Sequence, residues 1–331
     1  MSDPSARAMW RWGIVGPGGI AARFADSLAL VDDGVITAVA SRSVERAEAF
    51  GNRYGIPARY GDVRALLDDP EVDVVYVATP SARHADDTIA ALDAGKHVLC
   101  EKPLALSANQ AAQMVERARR NGLFLMEAMW TRFLPAYVAL RDVLDDGRLG
   151  LPLVVEADFG FRMPVDPVHR LFDLGLGGGA MLDLGIYPLQ LCSLVLGPPD
   201  AVAVEGVVGT TGVDEVVAAV LHHPGGGLGV VKAAIRVGLS CRARIPCADG
   251  WVDVPPFMHC PQYLRVDGAT GAQRIEAAFE GDGLRFQVHE VHRCLADGET
   301  ESSVMPLDES LQIAATLDTV RRRLGVVYPG E

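Results

Sequence analysis

The chain has 331 residues, a formal net charge of −13, 22% charged and 49% hydrophobic residues. That length suits two domains better than one core. The acidic balance argues against nucleic acid as a partner, since the longest run of like charge is Arg321–Arg322–Arg323. No apolar run is as long as a membrane span and the first ten residues carry no signal-peptide core, so a cytoplasmic protein is expected. The six cysteines (Cys100, Cys192, Cys241, Cys247, Cys260, Cys294) form no C-x-x-C pair or zinc spacing and are expected to stay reduced.

Residues 1–8 read as a loose tail. From there to Met126, short Val-rich runs alternate with amphipathic stretches. Strands are predicted at Arg11–Val15, Val35–Ala40, Val72–Ala78, Lys96–Cys100 and Leu123–Met126. Helices are predicted at Ile20–Leu30, Val44–Tyr54, Ala82–Ala94 and Ser107–Asn121, with Gly95 and Gly122 as helix-terminating glycines. This alternation predicts an α/β Rossmann domain over residues 9–127, a doubly wound parallel sheet covered on both faces.

After Glu127 the texture changes. A helix at Leu134–Asp146 precedes eight strand-like runs: Leu153–Phe161, Ala201–Gly209, Glu215–His222, Gly227–Ile235, Ala243–Ala248, Trp251–Val254, Tyr263–Val266 and Gln273–Ala277. Gly225–Gly227, Asp249–Gly250 and Asp267–Gly268 supply hairpin chemistry between them. With late helices at Asp282–Ala296 and Asp308–Arg323, residues 128–331 predict an α+β domain built on one large, open, mostly antiparallel sheet.

Gly16-Pro17-Gly18-Gly19-Ile20-Ala21 follows the first strand and opens the first helix. It fits G-x-G-x-x-A, whose small residues let a pyrophosphate approach the helix N-terminus. Gly16, Gly18, Gly19 and Ile20 are therefore expected to bind a dinucleotide. An NAD site wants an acid at the end of the second strand, but this chain has Ser41 and Arg42 there, with Arg46 one turn on. A hydroxyl and guanidinium groups suit the 2′-phosphate of NADP(H), although both arginines also read as solvated charges at a helix start. Thr79, Pro80 and His84 leave the third predicted strand, and Glu101-Lys102-Pro103 leaves the fourth. In a doubly wound sheet these ends flank the nicotinamide together. His84 reads as a packing or capping group before a catalytic one.

A Gly-rich segment, Gly177–Gly179, opens a helix in which Asp183 and Tyr187 stand at i and i+4, on one face. Lys102 beside a phenol favours the phenolate, and a free phenol titrates near ~10, so Tyr187 needs that help. Lys102 and Tyr187 are the expected proton-handling pair, with Asp183 orienting a substrate hydroxyl or the lysine. Trp130, Phe133, Phe159 and Phe161 suit the wall of a ring-binding pocket and Arg132 its polar groups, or else a plain aromatic core at a domain junction. His289 and His292 lack metalloprotease spacing, so no metal is expected.

These pieces together resemble the glucose-fructose oxidoreductase/inositol dehydrogenase/rhizopine-catabolism family of NAD(P)-dependent enzymes. The matching residues are the Gly16 turn, Thr79-Pro80, Glu101-Lys102-Pro103 and the run from Gly177 through Asp183 and Gly185 to Tyr187. Glu127-Ala128-Met129-Trp130-Thr131-Arg132-Phe133 and Tyr187-Pro188-Leu189-Gln190 are similar to its dihydrodiol and NADP-dependent xylose dehydrogenase branch. Many members have histidine where Tyr187 stands and asparagine where Ser81 stands.

The resemblance implies Lys102 and Tyr187 as the catalytic pair with Asp183 in support. It also implies a sugar, polyol or cyclic diol as substrate, and a homodimer or homotetramer through the C-terminal sheet. The expected activity is NADP-dependent hydride transfer at a CH–OH or C=O carbon. Sugar 3-ketoreduction, a non-catalytic NADP-binding regulator and a glycosidase with tightly held NAD are alternatives, the last weakened by the missing acid after the second strand.

Overall fold

The computed structural model describes residues 9–329, so the tail expected over residues 1–8 lies outside it. The chain forms two compact units. The first comprises the chain up to Ala105, Asn109–Trp130 and Gly281–Ser310; the second comprises Leu106–Ala108, Thr131–Glu280 and the chain from Leu311.

The first unit runs through β1 (Trp10–Val15), α1 (Gly19–Leu28), β2 (Gly34–Ala40), α2 (Val44–Tyr54), β3 (Ala58–Tyr60) and α3 (Val63–Leu67). It continues with β4 (Val74–Val77), α4 (His84–Asp93), β5 (His97–Glu101), α5 (Ala108–Asn121) and β6 (Leu125–Ala128). All six strands are parallel, in the order β3-β2-β1-β4-β5-β6. This is the Rossmann order, with its topological switch between β1 and β4. The central strands are buried on both faces, as continuous Val-rich runs require: Ile14, Val74, Val75, Val77, Val98 and Leu99 have no exposed surface. Phe24 of α1 stacks on Tyr76 of β4 at 3.9 Å between ring centres. The sequence pattern misses β3 and α3, because elements of three and five residues are too short to show a period.

The second unit begins with α6 (Pro135–Asp145) and β7 (Val154–Gly160) and continues to α7 (Ile186–Leu196). Then come β8 (Ala201–Val208), β9 (Asp214–His222), β10 (Leu228–Ala234), β11 (Ala243–Cys247), β12 (Gly250–Val254), β13 (Tyr263–Asp267) and β14 (Gln273–Glu276). Its eight strands lie in the order β14-β13-β12-β11-β7-β10-β9-β8. Every neighbouring pair is antiparallel except β7 with β10. α7 packs across β7 and β10. Burial alternates along β9, leaving one side of the sheet with exposed valines such as Val207 and Val220. Leu174–Leu196 has the length and composition of a membrane span, but 78% of its most apolar window is buried inside the protein, as in a core helix.

The chain does not divide once near residue 127. α8 (Arg285–Ala296) belongs to the first unit, while α9 (Leu307–Arg323) lies mostly in the second. α8 begins three residues later than Asp282, whose carboxylate instead accepts Ser27 Oγ at 2.7 Å and Arg23 Nε at 2.9 Å. The Trp12 indole donates to His292 Nε2 at 3.0 Å. That fixes the proton on Nδ1, which faces Asp33 Oδ1 at 2.7 Å. Burial lowers the His292 pKa and favours this neutral tautomer.

Candidate active site

The register of the parallel sheet gathers the expected cofactor residues. Val15 pairs with Ala40 and with Val77, and Val77 pairs with Cys100, so Gly16, Ser41, Thr79 and Lys102 all leave the sheet at one edge. Gly16 has φ +92°, and a Cβ there would lie 2.9 Å from Ala78 O and Thr79 N. The turn therefore needs glycine twice over, for its backbone and for its closeness to the next strand end. Gly18 caps α1 without any side-chain hydrogen bond, and a Cβ on Gly18 or Gly19 would meet nothing within 4 Å. Open space over a helix start with no side-chain cap and no acid in its first turn fits a dinucleotide pyrophosphate.

At the end of β2, Ser41 is half-buried while Arg42 and Arg46 are exposed. Ser43 caps α2 by accepting the Arg46 N–H at 3.3 Å, and its hydroxyl donates to Glu45 at 2.6 Å.

His84 is placed differently from a ligand contact. It is 2% exposed, with Nδ1 2.8 Å from Pro103 O and Nε2 2.9 Å from Thr79 O. Both partners are acceptors, so a neutral ring can donate to only one of them, and burial lowers the His84 pKa. The ring thus ties the loop after β4 to the turn after β5. Thr79 Oγ1 donates to Asp87, which also holds Arg83 at 2.6 Å.

Below Lys102, Glu101 is buried and accepts the Tyr76 hydroxyl at 2.5 Å and the Lys102 N–H at 3.2 Å. Burial raises the Glu101 pKa and pushes that of Tyr76 well up. Lys102 itself is half-buried, and its peptide bond to Pro103 is cis.

In the second unit, a wide π-type turn spans Met181–Gly185 and leads into α7. Pro188 accounts for it: proline has no N–H and its ring crowds the carbonyl four residues back, so the preceding turn opens. Asp183 lies in this turn and Tyr187 directly after it, so the two are set by a widened turn and not by ideal helical spacing. The Asp183 carboxylate is paired with Arg170, at 2.9 and 3.2 Å.

Tyr187 is 6% exposed and packs 5.5 Å from Phe159 and 5.4 Å from His259, and those two rings stack at 4.5 Å. Phe257, with φ +64°, stands edge-on to His259.

The expected wall residues separate. Phe159 joins Tyr187, whereas Trp130 is 3% exposed with the Arg23 guanidinium 5.6 Å from its ring centre. Phe133 is buried. Arg132 is fully buried and holds Gln190 through Nε and Nη2, each at 3.0 Å, which makes it an anchor for α7 and not a group open to substrate. Arg170 and His259 were not foreseen. Each lies in an irregular segment whose local pattern carries no signal of its destination. Among the described residues, no group of three or more His, Cys, Asp or Glu is arranged to hold a metal.

Residues 10–129 match the model of an oxidoreductase family with an NAD-binding Rossmann fold, and residues 137–253 match the GFO/IDH/MocA C-terminal domain. The chain belongs to this GFO/IDH/MocA oxidoreductase family. It is 38% identical over 330 residues to the trans-1,2-dihydrobenzene-1,2-diol dehydrogenase of Bos taurus, covering 96% of this chain and 98% of that one.

Among solved structures it is similar to an aldose-aldose oxidoreductase from Caulobacter crescentus complexed with glycerol, with TM-score 0.87 and 27% identity over 96% and 98% of the two chains. It is also similar to KijD10, a 3-ketoreductase from Actinomadura kijaniata complexed with NADP and TDP-benzene, with TM-score 0.83 and 28% identity over 95% and 97%. Structures of that reductase include one variant with a lysine replaced by alanine and another with a tyrosine replaced by phenylalanine.

Proposed function

We propose that the protein is an NADP(H)-dependent oxidoreductase that interconverts CH–OH and C=O at a ring or chain carbon of an aldose, cyclic polyol or trans-dihydrodiol. The nicotinamide, when bound, supplies or accepts the hydride. The protein handles the proton: Tyr187 Oη exchanges it with the substrate oxygen, and the Lys102 ammonium favours the phenolate form. Glu101 anchors the backbone that carries Lys102. Asp183, neutralised in part by Arg170, orients a neighbouring hydroxyl.

Gly16, Gly18, Gly19 and Ile20 would hold the pyrophosphate, and Thr79, Pro80 and Glu101 the nicotinamide end. Ser41, Arg42 and Arg46 would hold the 2′-phosphate. Phe159 supplies an apolar wall beside Tyr187. We further propose a cytoplasmic protein that self-associates through the uncovered side of its large sheet.

The observation that carries this reading is Tyr187 itself, a phenol set into an aromatic cluster one turn beyond a carboxylate. The dehydrogenase and reductase activities named for its relatives support the same chemistry. Tyr187→Phe is expected to abolish turnover while NADPH still binds, as read by nucleotide fluorescence; wild-type turnover in that variant would remove Tyr187 from the mechanism.

A second reading, reduction of a 3-keto sugar, is favoured by the likeness to the NADP-bound 3-ketoreductase. NADPH oxidation with keto-sugars against NADP reduction with xylose and dihydrodiols separates the two.

A further inference from the structure

Asp214 opens β9 and is 2% exposed, yet it has no part in the chemistry above. Its Oδ2 accepts the Met181 N–H at 2.7 Å, and the Ala180 N–H also bonds to this carboxylate. Those amides begin the wide turn that carries Asp183 and leads into Tyr187. The first N–H groups of any helix lack intrahelical partners.

This helix is also weakly determined by its own backbone. It emerges from Gly177 at φ +80° and Gly179 at φ +130°. Its Asp183 N–H reaches Gly179 O only at 3.4 Å. A side chain on Gly179 would collide with Asp214 Oδ1, so the glycine run and the carboxylate fit one another. Asp214 pairs with Val208 of β8 at the head of β9, and from Val216 onward β9 is held by β8 on one side and β10 on the other.

We propose that Asp214 is a positioning residue: by clamping the amides of Ala180 and Met181 to the sheet, it sets where the turn places Asp183 and Tyr187. This rests on Tyr187 carrying the proton, and its physical basis is the steep dependence of proton and hydride transfer on geometry. A misplacement of about 1 Å can cost roughly 10²-fold in rate.

Asp214→Asn keeps the size but turns one of the two acceptor oxygens into a donor facing the helix amides. At equal concentrations of NADPH-titrated sites, kcat is expected to fall about 10–100-fold. NADPH affinity should be unchanged, and the solvent deuterium isotope effect on kcat should rise as proton transfer at Tyr187 becomes slower. Asp214→Ser, whose hydroxyl lies a bond further from the helix amides, is expected to lose at least as much.

A folded Asn variant with wild-type kcat and isotope effect overturns the proposal. So does a loss that disappears once active sites are counted, or failure of both variants to fold, since either assigns Asp214 to stability alone. Tyr187→Phe separates the readings. If it is inert while Asp214→Asn is normal, only the clamp fails; if it turns over normally, the proton role of Tyr187 fails first.

Discussion

A buried carboxylate underlies each of the two side chains proposed to handle the proton, and the two differ in where their partners come from. Glu101 is the immediate neighbour of Lys102 and bonds to the Tyr76 hydroxyl and the Lys102 N–H. Asp214 is distant from Tyr187 in sequence and takes backbone amides at the head of its helix. A phenol can donate to a carboxyl group in either protonation state, so the Glu101 arrangement tolerates a raised pKa. Each carboxylate also accepts a backbone amide, which can only donate, so each must keep one oxygen as an acceptor whatever its protonation state. The lysine is thus fixed by its own stretch of chain, the tyrosine by a distant strand.

The largest break in that comparison is expected from Lys102→Ala. If its ammonium favours the phenolate as proposed, its loss should lower kcat/KM by about 10²–10⁴-fold with NADPH binding retained, measured by steady-state kinetics and nucleotide titration. Next, Arg42→Ala alone should cut the proposed preference for NADP over NAD by roughly 10–100-fold. Each charged hydrogen bond to the 2′-phosphate is worth about 1.5–3 kcal/mol, and the ratio of kcat/KM values for the two nucleotides reads it directly. Glu101→Gln, which keeps an acceptor for Tyr76, should then cost less than Lys102→Ala, about 10-fold in kcat; an equal loss would make the carboxylate charge as important as the lysine.

The smallest effect is a pH dependence of stability. Burial lifts the Asp214 carboxyl to about 7, above the ~3.9 of an unfolded aspartate. The folded state therefore binds the extra proton between those values. The stabilisation from this group is complete below pH ~4 and is lost as pH rises through about 7. Relative to Asp214→Asn, the wild type should gain thermal stability on going from pH 8 to pH 5 (about one unit above and two below that value), as followed by Tm. A gap that widens in the opposite direction would contradict the burial argument.

What was legible in the sequence follows the same division. The Rossmann half announces itself because its chemistry is contiguous: the glycine turn, the residues after β2 and Glu101-Lys102-Pro103 each lie within a few positions of a strand end, and the parallel register brings those ends together. The eight-stranded sheet was also visible, since alternation and glycine turns mark each strand locally. The surroundings of Tyr187 were not. His259 and Arg170 come from irregular segments, and Asp214 falls one residue before the predicted strand Glu215–His222. Arg132 looks available to a ligand until its guanidinium is seen closed onto Gln190. Asp183 and Tyr187 do stand in one helical stretch, but Pro188 makes the turn wider than regular spacing implies.

The return of α8 to the first unit bears on any attempt to transplant the nucleotide-binding half. A polypeptide stopping after β6 would contain every strand of the six-stranded sheet, yet Trp12 would lose His292 as its acceptor, and Ser27 and Arg23 would lose Asp282. Grafting this half onto another scaffold therefore calls for two separate stretches of gene, or for a circularly permuted order in which Gly281–Ser310 is spliced next to the sheet it completes.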